Sequence, residues 1–268
     1  MCKMLCAAVM LAVAALPALA QTAGTITPDV AKDLAPTGKV RAAINLGNPI
    51  LAQGSAQEPR GITVDLAREL ARRTGLALEL VTFPAAGKVF EALKAGEWDI
   101  AFIAIEPVRA AEIDFTAPYV FIEGTYMVLK DSPLKAIEDV DRAGVRVAVG
   151  RGSAYDLYLT RTLKSATLVR TQTPGGQAVI DLFLADKLEA AAGIKQPLLD
   201  YANTDANVRV LDGRFMVIEQ AMGTPKGRAA AARWVRGFVE EMKASGFVAD
   251  ALKRSNQPSA QVAPPAQN

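Results

Sequence analysis

The sequence contains no histidine, and both of its cysteines, Cys2 and Cys6, lie at the very start of the 268-residue chain. Without an imidazole, Ser-His-Asp and Cys-His catalysis are excluded, and so are zinc sites built on histidine. Disulfides and thiolate metal sites are not expected in the rest of the chain. Any chemistry would have to use Asp, Glu, Lys, Arg, Tyr, Ser or Thr, and we expect neither a cofactor nor a metal.

The chain also lacks an excess of charge of either sign, because 30 basic residues nearly balance 28 acidic ones and leave a net charge of +2. A chain so close to neutral has no strong field to attract a polyanion. Nucleic acid and anionic membrane are therefore not expected as main partners.

The first twenty residues have the composition of a secretory signal peptide. Lys3 is their single charge, an apolar run follows from Met4 to Leu16, and Ala18 and Ala20 flank a predicted cleavage site after Ala20. An uncleaved anchor is the alternative, but the run is short for a membrane span. Cleavage would remove one lysine and no acid, so the charge would fall from +2 to +1.

Period-two and period-3.6 segments alternate along the rest of the chain, which indicates mostly parallel sheets covered by helices. The pattern restarts near Thr125, and the chain returns at residues 221–225. This organisation predicts two α/β lobes with a ligand cleft between them. The tail, residues 255–268, is rich in Pro, Gln, Ser and Ala and is predicted to be disordered. Predicted strands cover residues 40–45, 76–83, 99–105, 145–149, 167–170 and 188–194.

Arg109 is the candidate functional residue that stands out most. An apolar strand ends at the turn Glu106-Pro107, and this arginine follows directly. A guanidinium at the carboxyl end of a buried strand can bind a carboxylate through two hydrogen bonds. The alternative is a salt bridge to a neighbouring acid, namely Glu106, Glu112 or Asp114.

Several short segments in a fixed order resemble the periplasmic solute-binding proteins of family 3, which feed polar amino acids and related acids to ABC importers. The resemblance covers roughly residues 38–254, and no single segment carries it alone. The segments are Gly61-Ile-Thr-Val-Asp65, Leu93-Lys-Ala-Gly-Glu-Trp-Asp99, Glu106-Pro-Val-Arg109, Phe115-Thr-Ala-Pro-Tyr119, Gly150-Arg-Gly-Ser153 and Ala221-Met-Gly223.

This resemblance implies a type II Venus-flytrap fold, with lobe 1 over residues 38–123 and 219–254 and lobe 2 over 124–218. The two hinge crossings would lie near 123–125 and 219–221. It also implies a monomeric, non-enzymatic periplasmic receptor that captures a small carboxylate solute by lobe closure. An inner-membrane ABC permease would be its partner.

By the same resemblance, Arg109 would bind the ligand carboxylate, and Gly152 and Ser153 would hold it from the opposite lobe at a helix N-terminus. An ordinary N-cap role for Ser153 is the alternative, and both roles can hold together.

The sequence departs from the amino-acid binders of the family at the other end of the ligand. Phe102 and Ala104 replace hydroxyl residues before the arginine, and Ile194 stands near the position of the ammonium-binding aspartate. Asn48 and Ala86 replace the aromatic residues of the first lobe. An unpaired ammonium would be costly there, so an α-amino acid is less expected than a related organic acid.

Four further residues are candidates with open alternatives. Glu106 could receive an ammonium or hydroxyl group or act as an acid/base, or it could be a solvated turn carboxylate. Asn45 could bind the ligand or stabilise its turn, and Thr173 could reach the cleft or only cap a helix. Tyr155 could face the cleft or pack with Tyr158 on the lobe surface.

Two other functions stay open at this point. One is a dehydratase of the cyclohexadienyl dehydratase type, for which Glu106 would be the base. The other is a sensory module that signals through a membrane partner.

Overall fold

The computed structural model describes residues 26–267, so the predicted signal peptide lies outside the described residues. None of the helices in this range combines the length and the hydropathy needed to cross a membrane. The helices are α1 (Pro28–Leu34), α2 (Ile62–Thr74), α3 (Ala86–Lys94), α4 (Pro107–Ala110), α5 (Ala154–Thr162), α6 (Gly176–Ala185), α7 (Lys195–Ala202), α8 (Ala229–Ala244) and α9 (Phe247–Arg254), with a 3-10 turn at Ile137–Val140.

The strands alternate with these helices, as the sequence periodicity predicts. They are β1 (Lys39–Asn45), β2 (Gln53–Gly54), β3 (Pro59–Arg60), β4 (Ala77–Phe83), β5 (Ile100–Ala104), β6 (Ile113–Phe115), β7 (Val120–Leu129), β8 (Arg146–Val149), β9 (Thr167–Arg170), β10 (Ala190–Ile194), β11 (Val208–Val210), β12 (Met216–Pro225) and β13 (Gln261–Val262).

Eleven of these strands form one mixed, curled sheet, whose main order is β4-β1-β5-β12-β7-β10-β8-β9. At one end β1 is parallel to β4 and β5, and at the other β8 is parallel to β9 and β10. Helical crossovers join these parallel strands, as the geometry of parallel pairing requires. The two parallel regions are the sheets of the two lobes.

The two long central strands, β7 and β12, connect the lobes and change partners midway along their length. Strand β12 pairs with β7 up to Gln220, and from that residue onward it pairs with β5. Strand β7 leaves β12 at Gly124 and continues beside β10. These switch points fall within the two predicted hinge crossings, and the fold is the expected two-lobed α/β type.

Lobe 1 is held together by a buried charge as well as by apolar packing. The Asp99 carboxylate, which is inaccessible to solvent, accepts from Arg41 Nε at 2.9 Å and from Arg228 Nη1 at 2.7 Å. Burial by itself would raise the pKa of Asp99, but the hydrogen bonds from the two arginines lower it overall. The side chain thereby ties β1 to the start of α8. Trp98, as expected, is in the core, where its Nε1 donates to Val89 O at 2.8 Å.

The prediction of a disordered tail is wrong for the described part of it. Residues Gln261 and Val262 form β13, which pairs with Phe121 and Val120 of β7. Ala263 is buried, and its N–H donates to Tyr119 O at 3.0 Å. The composition is misleading here because the free edge of β7 offers backbone groups that need partners, and any extended segment can supply them.

Candidate functional site

A cavity of about 150 Å³ lies between the lobes, beside the hinge strands. Lobe 1 contributes the carboxyl ends of β1 and β5 and the start of α3, and lobe 2 contributes the start of α5 and the residues just before α6. Carboxyl ends of parallel strands meet at one edge of a sheet, which is where ligands bind in α/β folds. Seven of the nine predicted site residues line this cavity: Asn45, Ala104, Arg109, Gly152, Ser153, Tyr155 and Thr173.

Arg109 is fully buried at the base of the cavity. Its Nη1 donates to Ala104 O and its Nη2 to Gly152 O, both at 2.9 Å, so the side chain joins lobe 1 to lobe 2. Burial lowers the pKa of Arg109 to about 10, and the charge of Glu106 opposes this effect. The guanidinium therefore stays charged at neutral pH. Among the described residues it has no carboxylate partner, so the alternative of a local salt bridge is not what the structure shows.

Two hydrogen bonds to carbonyls leave most of the donors of this guanidinium free. Arginine carries five N–H groups, so about three remain for a ligand. One of them belongs to Nε, which is buried and has no hydrogen-bond partner within residues 26–267. A buried donor without an acceptor is costly, and a ligand oxygen in the cavity would remove that cost.

The Gly152-Ser153 loop approaches Arg109 from lobe 2, but its backbone N–H groups already have acceptors. Gly152 N donates to Asp156 Oδ2 at 2.8 Å, and Ser153 N donates to Gly150 O at 3.1 Å. The Ser153 hydroxyl accepts from Asp156 N at 3.0 Å, so Ser153 is the N-cap of α5. What the loop presents to Arg109 in this arrangement is the carbonyl of Gly152.

Amide side chains supply further polar groups to the cavity. Asn45 Oδ1 accepts from Gly47 N at 3.0 Å and Asn48 Oδ1 from Ile50 N at 3.2 Å, as the turn interpretation predicts. Neither Nδ2 group has an acceptor among the described residues, so both amides can donate to a ligand. Sequence reasoning missed Gln220 as a site residue. Its position in a predicted hinge crossing was the available signal, because it is buried at the partner switch of β12 and faces the cavity.

Apolar side chains close the rest of the cavity. Ala104, Ile194 and Ile218 all line it. Phe102 does not, although it lies on the same face of β5 as Ala104. It is two residues nearer the start of the strand, where it packs edge-on against Tyr119 in the lobe 1 core.

Glu106 lies away from the cavity and is almost completely buried. Its carboxylate accepts a hydrogen bond from Arg161 Nη1 of α5, in the opposite lobe. The Arg161 guanidinium also lies over the ring of Tyr158, 5.3 Å from its centroid. Neither interpretation from the sequence, a ligand-facing group or a solvated carboxylate, describes this ion pair between the lobes.

Tyr155 and Thr173 both reach the cavity wall, and burial raises the pKa of the Tyr155 phenol. Thr173 does not cap the following helix, because α6 begins after Gly175, whose φ of 105° takes the N-cap position. Beyond Tyr155 the cleft widens into a second, larger compartment of about 810 Å³, lined mostly by apolar residues.

The backbones of the two lobes approach each other at a pair of glycines, Gly87 on α3 and Gly152. A Cβ at Gly87 would lie 3.2 Å from Arg151 O and 3.3 Å from Gly152 Cα. These distances are shorter than ordinary van der Waals contacts. Small residues at this point therefore permit the closed arrangement that the structure shows.

We expect Gly87→Ala to weaken ligand binding about fivefold, because the methyl group would hold the lobes slightly apart at a cost of about 1 kcal/mol. The same change should not destabilise the unliganded protein, since alanine favours a helix over glycine. Calorimetric titration and thermal unfolding of the two proteins measure both effects. Gly237→Ala on α8, where a Cβ meets nothing, is the matched control. Equal affinities for Gly87→Ala and the parent would contradict the steric argument.

Known proteins with similar sequences identify the family of this chain. The profile of the bacterial extracellular solute-binding proteins, family 3, matches residues 41–255. The chain belongs to this family. The family is extracellular, so it implies a location outside the cytoplasm, in line with the predicted secretion.

Similar proteins with stated ligands agree with the assignment. The amino-acid-binding protein AabA of Dichelobacter nodosus is 24% identical over 216 residues, which cover 79% of this chain and 84% of that protein. The solute receptor for L-cysteine of Neisseria gonorrhoeae superposes with a TM-score of 0.72 at 21% identity, over 86% of this chain and 94% of that one. An ancestral amino-acid-binding protein, described as a precursor of cyclohexadienyl dehydratase, superposes with a TM-score of 0.67 at 22% identity, over 83% and 97%.

Proposed function

We propose that this family 3 solute-binding protein is a periplasmic receptor that captures a small carboxylate-containing solute by closing its lobes around Arg109. The observation that carries the proposal is the fully buried guanidinium at the base of the interlobe cavity. It has free donors, no carboxylate partner among the described residues, and contacts to both lobes. A carboxylate matches this fork of donors in charge and in shape.

Delivery of the ligand to an inner-membrane ABC permease completes the proposal. A protein with a similar fold is described as an amino acid ABC transporter substrate-binding protein bound to L-arginine. We propose that this chain acts in the same way, as a monomer cleaved after Ala20, with lobe boundaries near residues 123 and 219. Lobe closure would convert ligand binding into a surface that a permease can recognise.

The position of Glu106 supports binding without covalent chemistry. A dehydratase needs an acid/base within hydrogen-bond reach of its substrate. Glu106 was the candidate base in the sequence, but its carboxylate is paired with Arg161 and does not line the cavity. The similarity to a dehydratase precursor is one of fold, and we propose no reaction on that ground.

A thermal-shift screen of amino acids, keto acids, hydroxy acids and dicarboxylates tests the proposal. A ligand at about 100 times its Kd should stabilise the protein by about 2.7 kcal/mol, which raises the melting temperature of a domain this size by roughly 5–10 °C. Neutral amides of the same acids are the control and should produce no shift. Stabilisation by the amides, or by no carboxylate at all, would rule out capture through Arg109.

A further inference from the structure

The charges around the cavity are not balanced. Three basic side chains line it, Lys88, Arg109 and Arg151, against a single acidic one, Glu91. The Glu91 carboxylate is already bound to Lys88 Nζ at 2.6 Å on the exposed face of α3. Arg151 Nε donates to Thr171 O at 3.3 Å and has no carboxylate partner within the described chain. Two positive charges therefore remain uncompensated at the cavity, one at its base and one at its rim.

Helix dipoles add to this positive potential. The first residues of α3 and Gly175, which immediately precedes α6, contribute to the cavity wall. Neither α3 nor α6 has a side-chain cap on its N-terminal N–H groups. Uncapped N-termini attract anions, and these two, one from each lobe, converge here. The buried Arg109 Nε, which has no partner, points independently to a missing acceptor in the same place.

The cavity offers little to a positively charged group. The polar side chains around Arg109 are amides and hydroxyls, and Ile194 and Ala104 are apolar. In the second compartment the single charged side chain along the described wall is Asp200, which is exposed and accepts from Gln196 Nε2 at 2.7 Å. An α-ammonium held close to the Arg109 carboxylate site would meet no free carboxylate from residues 26–267. Its desolvation would then oppose binding.

We infer that this cavity is built for a small dianion of the dicarboxylate class rather than for an amino-acid zwitterion. The inference rests on the proposed function, because one carboxylate is the group that Arg109 binds. The second carboxylate would face Arg151 and the uncapped N-termini at the rim. The volume agrees with this class, since a cavity of about 150 Å³ elsewhere holds benzene, a molecule of six heavy atoms, and small dicarboxylates are only slightly larger.

A matched set of four-carbon ligands tests the charge requirement. Succinate has two carboxylates, aspartate adds an ammonium, butanoate lacks the second carboxylate, and 4-aminobutanoate replaces it with an ammonium. Calorimetric titration of the purified protein at low ionic strength should rank succinate first, by about tenfold or more over butanoate, because one charge-assisted contact is lost. Malonate and glutarate extend the comparison to chains of three and five carbons.

Substitution of Arg151 tests where the second carboxylate binds. Arg151→Gln should weaken dicarboxylate binding about tenfold and leave butanoate binding unchanged, since only the dianion reaches the rim. Arg146→Gln is the matched control, because that exposed arginine is paired with Glu189 away from the cavity. Its dicarboxylate affinity should equal that of the parent.

Several outcomes would overturn the inference. Tighter binding of aspartate or 4-aminobutanoate than of succinate would show that an ammonium is recognised. Equal affinities for succinate and butanoate, or an unchanged dicarboxylate affinity in Arg151→Gln, would show that the second charge is not. If amino acids bind and Arg109→Ala abolishes their binding, the inference fails while the proposed function stands. If no ligand depends on Arg109, both fail.

Discussion

Arg109→Ala should lower the affinity for the cognate carboxylate by at least about 100-fold, the largest effect of any single substitution that we expect. Truncating one partner of a buried, hydrogen-bonded charge pair costs about 2–5 kcal/mol, and about 2.7 kcal/mol corresponds to 100-fold in Kd. The Arg109 guanidinium meets this condition because it is fully buried and charged at neutral pH. Calorimetric titration with a carboxylate found in the thermal-shift screen gives the measurement.

Two further variants separate recognition from folding. Arg109→Lys keeps the charge but loses the planar fork, so it should recover only part of the affinity. Arg209→Ala is the matched control, because that guanidinium also donates to backbone carbonyls, those of Lys130, Ser132 and Leu134, away from the cavity. It should lower stability but leave the affinity unchanged. An Arg109→Ala protein that folds normally and binds within threefold of the parent would refute the carboxylate assignment.

Breaking the ion pair between Glu106 and Arg161 should weaken ligand binding by about thirtyfold, the second largest expected effect. The Glu106 side chain is 2% exposed, so Arg161→Gln would leave a buried carboxylate without its partner whenever the lobes close. We set the cost near 2 kcal/mol, at the low end for such pairs, because Arg161 itself is 43% exposed. Opening of the lobes would return Glu106 to water, so the loss should appear as a shift toward the open form.

A double-mutant cycle checks this coupling. Glu106→Gln with Arg161→Gln should recover part of the affinity lost in the single variants, since no buried charge is then left alone. Arg146→Gln is the control: this arginine is similarly exposed, 44%, but its partner Glu189 is 36% exposed and lies in the same lobe. Small-angle scattering should show a larger radius of gyration for Arg161→Gln with ligand than for the parent. Additive effects of the two single variants would contradict a direct interaction across the cleft.

Arg109 on α4 and Glu106 in the preceding turn make different contacts with lobe 2. Arg109 lines the cavity and reaches Gly152 just before α5, whereas Glu106 reaches Arg161 near the end of α5. Both contacts cross the cleft, but only the first can be shared with a ligand. In our proposal, a ligand therefore strengthens a closure that the protein itself already favours at Glu106.

The parts of the site that depend on residues close together in sequence were predictable. The strand that ends before Arg109, the helix start at Ser153 and the turn at Asn45 all depend on neighbours within a few residues. Those residues line the cavity as predicted. Phe102 was misplaced because the family resemblance gave its position on the strand but not how far along that face the core extends.

The remaining differences involve contacts between residues far apart in sequence. Glu106 and Arg161 are 55 positions apart, and the tail segment of β13 pairs with a strand about 140 residues earlier. Gln220 was not recognised because its role depends on where two hinge strands exchange partners. The spacing of neighbouring residues in the sequence does not predict contacts of this kind.

By itself, the sequence determined the alternation of strands and helices, the absence of imidazole, and the arginine at a strand end, because each depends on residue type and short-range periodicity. Only the tertiary structure determined which charged side chains form ion pairs and which have no oppositely charged partner. Glu106 has an ion-pair partner in the opposite lobe, whereas the buried Nε of Arg109 has no acceptor among the described residues. The physical reason is that an ion pair depends on distance in space, and folding sets that distance independently of separation along the chain.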